Sequence, residues 1–347
     1  MELNIFHGPE NIAGSAGVLA KAQRASGVDA FAYCLPTSFH YPADRILRPT
    51  DNLGYTLQLL TFLTQKRWRF NIFQFYHNSS LALYELWDVP WLKKMSKKVF
   101  FYFCGCDARD SKLTIQKYEI NACQEHWPMA CSPNRKKAID YAQRYADGVF
   151  VSTPDLLEFV PGSTLIPQPL DLEQFTPLRD QAWATARSRS DASDKFVIAH
   201  APSNPMIKGT IYLERAVQEL QASGYSIELL LIQNTPYQET LRLAAQADVI
   251  VDQLLVGAYG TFAVEMMALG KPVICYIRDD LRRHYPANLP IISASPKTIG
   301  QALKDLIEQR SRWPEIGQQG IQYVNQVHDS LVIARQTLSH YQRSFKL

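Results

Sequence analysis

Apolar residues along the chain gather in short runs, and stretches of helical period lie between the runs. In the first half, "LNIFH" (3–7), "DAFAYCL" (29–35), "FNIFQFY" (70–76), "KVFFYFC" (98–104) and "GVFVST" (148–153) read as strands. Helical stretches fall between them, at about 15–26, 53–65, 80–96 and 134–146. Alternation of this kind predicts an α/β domain, a parallel sheet with helices on both faces.

The pattern breaks in the middle. "TLIPQPLDLEQFTPLRD" (164–180) carries three prolines, and "ARSRSDASD" (186–194) is small and polar. Neither suits the interior of an element, so this region reads as a connection between domains. Alternation then resumes. "KFVIAH" (195–200), "SIELLLIQ" (226–233), "DVIVDQ" (248–253) and "IISAS" (291–295) read as strands, and a further strand follows Gly270. "TIYLERAVQELQASG" (210–224) places Leu213, Ala216, Val217 and Leu220 on one helical face. "TPYQETLRLAAQ" (235–246) opens with Thr235 as N-cap and Pro236 at the first helical position. Residues 297–345 read as helical, with a break near Trp313-Pro314. The division expected is an N-terminal Rossmann-like domain over 1–175, a linker over 176–194, a second such domain over 195–330, and a C-terminal helix over 331–347 packing back on the first domain.

Composition narrows the function classes. The 347 residues are 46% hydrophobic and 20% charged, ordinary for a globular protein of two domains. A net charge of +3 gives no basis for nucleic-acid binding. No apolar run approaches the ~20 residues of a membrane span, and "MELNIFHGPE" lacks a signal-peptide pattern. A cytoplasmic location is therefore expected. Six cysteines in so long a chain suit a reducing compartment, as free thiols or metal ligands.

In open parallel sheets, ligands bind beyond the carboxyl ends of the strands, where helix N-termini aim unpaired N–H groups. Four places fit. "HGPENIAGSAG" (7–17) brings Gly14, Ser15, Ala16 and Gly17 to the start of a helix, as a phosphate loop or a plain turn. "HAPSNPMIKGT" (200–210) sets Lys208 beside Gly209, with Thr210 as N-cap, a position for holding a diphosphate. "GAYGTFAVEMMALGKPVICY" (257–276) places Thr261 as N-cap and Glu265 one turn on, among apolar neighbours. A buried carboxylate there needs a partner, and a ligand hydroxyl would serve; a surface glutamate near a positive helix end is the plain alternative. "FFYFCGCDARD" (100–110) crowds Cys104, Cys106, Asp107 and Arg109 at a strand exit, where Asp107 and Arg109 can pair structurally.

Taken in order, these motifs resemble the retaining glycosyltransferases of the GT-B fold, glycosyltransferase family 4. "GAYGTFAVEMMALGKPV" is similar to that family's Glu-Gly-Phe-Gly, four residues, Glu-Ala-Met-Ala-x-Gly-Lys-Pro-Val. "LIPQPLDLEQFTP" resembles its interdomain segment, "MIKGT" its phosphate-binding Lys-Gly, and "FCGCDARD" its His-Gly-x-Asp. The resemblance implies two Rossmann-like domains whose parallel sheets face a central cleft that closes over the substrates. It implies that Glu265 holds the ribose of a nucleotide-diphosphate sugar and Lys208 its diphosphate. Gly14 to Gly17 and the amides of Gly260, Thr261 and Phe262 would lie near the donor sugar and phosphates. No metal or other cofactor is implied. Three family side chains are absent: the signature's first glutamate falls on Gly257, a partner arginine on Ser203, and a histidine on Cys104. Asp252, His77, His200 or Arg109 are available as substitutes, and His77, Cys104, Asp107 and Arg109 form the acceptor-side set.

The activity implied is transfer of a sugar to an acceptor hydroxyl with retention, the acceptor being a growing glycan or a lipid-linked saccharide. A non-catalytic GT-B nucleotide-binding subunit and a sugar-nucleotide epimerase are the alternatives. Two smaller signals remain. Cys123, His126 and Cys131, with Cys104 or Cys106, have tolerable spacing for a structural zinc, although buried free cysteines are the commoner outcome. "WDVPWLKKMSKK" (87–98) mixes two tryptophans with four lysines, which fits peripheral contact with the inner face of a membrane as well as a solvated helix face.

Overall fold

The computed structural model describes residues 2–37, 39–48, 51–65, 69–125, 134–180 and 195–346. The chain divides into two compact units. The first comprises the described parts of 1–110, 131–170 and 330–347; the second comprises those of 111–130 and 171–329.

The first unit is built on a seven-stranded, all-parallel sheet. Its strands are β1 (Asn4–His7), β2 (Asp29–Cys34), β3 (Arg45–Ile46), β4 (Ile72–Tyr76), β5 (Lys98–Phe103), β6 (Gly148–Val151) and β7 (Thr164–Leu165). They run in the order β3-β2-β1-β4-β5-β6-β7, so the chain reverses its direction of travel across the sheet between β1 and β4. β5 shows why its sequence is apolar throughout. Val99, Phe101 and Phe103 enter the core on one face, while Phe100 and Tyr102 enter the core on the other. A strand buried on both sides has no polar alternation to show.

Helix Ser330–Ser344 belongs to this first unit and packs on helix Ser15–Ala25. Tyr341 meets Phe100 edge-on at 4.6 Å between ring centres, and its hydroxyl donates to Gln74 at 2.8 Å. Gln23 donates to the Thr337 hydroxyl at 3.1 Å.

The second unit holds a four-stranded parallel sheet of β8 (Phe196–His200), β9 (Ile227–Leu231), β10 (Val249–Val251) and β11 (Val273–Ile274). Its order is β11-β10-β8-β9, which puts the reversal point between β8 and β10. Helix Thr210–Ala222 buries Leu213, Ala216, Val217 and Leu220, the face its period predicts.

Several local expectations are corrected. The helix expected over 80–96 is confined to Asp88–Lys94. The preceding turn is tied instead by the Asp88 carboxylate, which accepts from the Leu81 amide at 3.0 Å and from the Ser80 hydroxyl. The strand expected at 291–295 is reduced to one bridge, Ile274 to Ile292. Helix Tyr237–Ala244 is capped by Pro236, because the Thr235 hydroxyl turns back to the Gln233 carbonyl. Residues 111–125 fall in the second unit, where Glu119 pairs with Lys297 at 2.6 Å. Of the region read as linker, 176–180 are helical and 181–194 lie outside the described residues. No helix among the described residues is long and apolar enough to cross a membrane.

Candidate functional site

The reversal point of the second unit gathers the polar side chains that the sequence singles out. β8 ends at His200 and β10 runs into Asp252 and Gln253. Between them stands Lys208, at the end of the short helix Pro205–Lys208, which Asn204 caps by accepting from the amides of Met206 and Ile207. The Lys208 ammonium donates to Asp252 and to Gln253, each at 2.8 Å. The second oxygen of Asp252 accepts from the Gly260 amide at 2.7 Å. Asp252 is fully buried, and Lys208 is largely so. A Cβ at 260 would lie 3.1 Å from the Asp252 carboxylate and 3.2 Å from the Lys208 nitrogen, so a larger residue there would press on the ion pair.

Two capping expectations shift by one residue. Gly260, not Thr261, is the N-cap of helix Thr261–Ala268, so Glu265 falls in its second turn. Gly209, not Thr210, caps the helix that follows Lys208. The Thr210 hydroxyl is engaged elsewhere, 2.9 Å from His200 Nε2. His200 Nδ1 lies 2.8 Å from the Val251 carbonyl, which can only accept. Nδ1 therefore carries the proton, and Nε2 accepts from Thr210. Burial pushes the His200 pKa down to about 4, so the ring is neutral and holds β8, β10 and the helix together.

Glu265 is buried, with only 5% of its surface exposed. That removes the surface-glutamate reading. Its partner is Tyr237, whose hydroxyl donates to Oε1 at 2.8 Å. Burial raises the Glu265 pKa to about 8, opposed by the Tyr237 hydrogen bond. The group is therefore mainly protonated at neutral pH. Phe262 is half-buried beside it, and Ser203 is exposed in the loop before Asn204.

Gly257 explains its own lack of a side chain. Its φ is +83°, and a Cβ there would lie 3.0 Å from the Arg278 Cβ. The Arg278 guanidinium lies over the Tyr118 ring at 3.6 Å and pairs with Asp280 at 2.6 Å. An acid at 257 would meet both backbone strain and this stack.

In the first unit, the glycine loop is occupied by the chain itself. Asn11 accepts from the amides of Ala16 and Gly17 at 3.0 and 3.4 Å, and donates to the Pro42 carbonyl at 3.1 Å. A Cβ on Gly17 would overlap the Pro42 carbonyl oxygen, and one on Gly14 (φ +77°) would press on the Tyr41 ring. The Ser15 hydroxyl donates to the Ile12 carbonyl at 2.7 Å and accepts from Gln168. His7 sits beneath, fully buried, donating to Gln23 and accepting from Tyr76, each at 2.8 Å.

The residues expected on the acceptor side, His77, Cys104, Asp107 and Arg109, lie beyond β4 and β5. Asp107 is buried and accepts from the amides of Cys104 and Gly105. Its carboxylate lies 3.6 Å from His77 Nδ1. Burial works against protonation of His77, but the bond and charge of Asp107 outweigh it and raise the pKa. His77 is strained at φ +53°. The expected Asp107–Arg109 pair does not form, because Asp107 is committed to the amides of its own turn. Arg109 pairs instead with Asp155 at 2.6 Å. Burial holds the Cys104 thiol well above its usual pKa, so it is not a ready thiolate.

Cys34, Cys104, Cys106, Cys123 and Cys275 are free thiols. His126 and Cys131, of the zinc set, lie outside the described residues. Among the described residues, no group of three or more His, Cys, Asp or Glu side chains is placed to hold a metal ion. Gln253, Tyr237, Asn11 and Asp155 join these clusters without standing out as site residues in the sequence. Gln253 alone carried a signal, as a polar residue at the exit of an apolar strand.

A scan against protein-family models gives no match, and a search of curated proteins gives none. Solved structures do match over the whole chain. The structure of HepE from Anabaena in complex with UDP-glucose has a TM-score of 0.63 and 14% identity, covering 99% of this chain and 100% of that chain. Sucrose-phosphate synthase from Thermosynechococcus elongatus gives 0.61 and 14%, covering 100% and 99%. The fold is GT-B. UDP-GlcNAc 2-epimerase from Neisseria meningitidis, bound to UDP-GlcNAc, gives 0.53 and 13%, covering 99% and 100%. At these identities the likeness is one of fold.

Proposed function

We propose that the chain is a retaining glycosyltransferase of the family 4 type, moving a sugar from a nucleotide-diphosphate sugar to an acceptor hydroxyl. One observation carries the reading. Lys208, the Gly260 end of helix Thr261–Ala268 and the buried Glu265 stand together at the carboxyl ends of β8 and β10. An ammonium and a helix N-terminus suit a diphosphate, and a buried carboxyl group suits a ribose hydroxyl. That HepE was solved with UDP-glucose supports the same substrate class.

In this reading the donor's diphosphate displaces the Asp252 and Gln253 contacts of Lys208. The bond from the anomeric carbon to the diphosphate oxygen breaks, and Lys208 and the Gly260 to Phe262 amides stabilise the charge that develops there. The acceptor hydroxyl bonds to the anomeric carbon on the face the diphosphate leaves, and its proton passes to the departing diphosphate. The acceptor is a glycan or a lipid-linked saccharide of cell-surface synthesis, and the site of action is cytoplasmic.

The deciding experiment is calorimetric titration with UDP-, GDP- and ADP-sugars, paired with an assay of nucleotide release across a set of saccharide acceptors. Binding followed by acceptor-dependent release, with the product anomer unchanged, is expected. Failure to bind any nucleotide overturns the reading. Gly257 favours a second reading, a non-catalytic GT-B nucleotide-binding subunit, because the first signature acid is excluded by backbone and packing. Binding without release under every acceptor selects it. Interconversion of UDP-GlcNAc without an acceptor would select epimerisation.

A further inference from the structure

The first unit carries a surface for which the glycosyl-transfer chemistry has no use. Helix Asp88–Lys94 and its two flanking residues present Trp87, Trp91 and Met95, spaced four apart on one helical face. They are 67%, 43% and 38% exposed. The opposite face is fixed: Leu86, Val89 and Leu92 are fully buried and Asp88 almost so. The helix cannot roll to hide its tryptophans without exposing that core. Tyr84, one turn earlier, is also exposed, and its hydroxyl donates to Glu10 just beyond β1.

Cations outnumber acids around this face. Residues 84–98 hold four lysines against Glu85 and Asp88. Asp88 is turned inward onto Ser80 and Leu81, and Glu85 is paired with Lys137. Lys93 and Lys98 share Asp147. Lys94 is exposed on the tryptophan face, seven residues after Trp87. The neighbouring helix Arg135–Tyr145 packs on this one and adds the exposed Lys136.

We infer that the Trp87–Trp91–Met95 face is a docking surface for an anionic lipid bilayer. Indole rings favour the headgroup level, where the ring is apolar and the N–H is wet, and lysines beside them favour negatively charged lipid. The three exposed side chains stand on one helix face beside the exposed Lys94, and an anionic bilayer surface binds that pairing of aromatic and cationic groups. The inference stands independently of the glycosyl-transfer reading, since it uses no residue of the donor site.

The test is co-sedimentation of the full chain, without nucleotide, with vesicles of phosphatidylcholine or of phosphatidylcholine and phosphatidylglycerol in equal parts. Partitioning is expected to be about tenfold stronger into the anionic vesicles at low salt and to weaken as salt is added. The double variant Trp87→Ser/Trp91→Ser should lose about tenfold or more of that binding, and Lys94→Glu a smaller share. Both variants should melt with the wild type and bind UDP-sugars as it does. Equal partitioning of the wild type into the two vesicle types would overturn the inference. So would undiminished binding by the double variant, or a face that drives self-association in solution without vesicle binding.

Discussion

The two units present the same local design and use it differently. Each has a strand at the reversal point of its sheet, a glycine-bearing loop, and a helix starting beyond the strand's carboxyl end. In the first, Asn11 takes the amides of Ala16 and Gly17, and the segment around Pro42 lies against Gly17. In the second, the helix-end amide of Gly260 is met by Asp252, whose other oxygen holds a lysine. One helix end is closed by a neutral side chain that also ties down a neighbouring loop. The other is closed by an ion pair, which a more highly charged anion can displace. Glycine spacing alone does not separate a ligand loop from a packed turn; what occupies the amides does.

The sharpest way to break this contrast is to remove the charge from the second site. Lys208→Ala should lower turnover by about 10²–10³-fold, the range for losing a donor aimed at developing negative charge, and should also lower the melting temperature, because the buried Asp252 carboxylate loses its ion-pair partner. Steady-state nucleotide release would measure the turnover. Turnover unchanged from wild type would reduce Lys208 to a partner of Asp252.

Glu265 offers a pH-dependent test of the same site. Its pKa is about 8 in the fold against an ordinary 4.5, so the folded state binds the proton more tightly than the unfolded chain. Its stabilising contribution is full below about pH 4.5 and is lost as pH rises through about 8. Glu265→Gln keeps the Tyr237 contact without the titration. The variant should exceed the wild type in stability at about pH 9, by up to ~5 kcal/mol, in denaturant unfolding. If the ribose prefers the carboxylate, nucleotide affinity in the wild type rises with pH up to about 8 and then levels, while the Gln variant stays flat. Glu265→Ala should weaken nucleotide binding at neutral pH by ~0.5–1.5 kcal/mol, the range for a hydrogen bond to a neutral carboxyl group.

Much of this was legible from residues alone, and the failures have physical causes. The buried strands and the helix Thr210–Ala222 followed from apolar runs and period. Lys208 and Glu265 stood out because a lysine beside glycine and an acid among methionines are locally improbable. The Lys208–Asp252–Gly260 cluster was not readable, because it joins residues 44 and 52 positions apart through sheet order. The alternative Asp107–Arg109 pairing fails for a related reason. Asp107 is taken by the amides of Cys104 and Gly105 in its own turn, and Arg109 by Asp155 46 positions on. The inclusion of 111–125 in the second unit has no local signal at all.

Gly257→Glu rebuilds the family's missing acid and tests whether its absence is a packing matter. The residue must adopt φ near +83° and displace Arg278 from beside it. A loss of ~2 kcal/mol in stability is expected, about half from the left-handed backbone, with no gain in turnover. A gain would mean that Arg278 yields easily and that the missing acid limits the site.

The smallest expected effect bears most directly on the contrast between the two helix ends. Asn11→Ala frees the amides of Ala16 and Gly17 and the Pro42 carbonyl. Losing an N-terminal cap costs about 1 kcal/mol, and this buried one should fall toward the upper part of its range. Nucleotide affinity should be unaltered if this end of the first unit serves packing. If instead Asn11→Ala tightens or weakens UDP-sugar binding beyond the stability change, the amides of Ala16 and Gly17 are in play for the donor. Asn11 would then be a stand-in for phosphate, and the two helix ends would be working the same way.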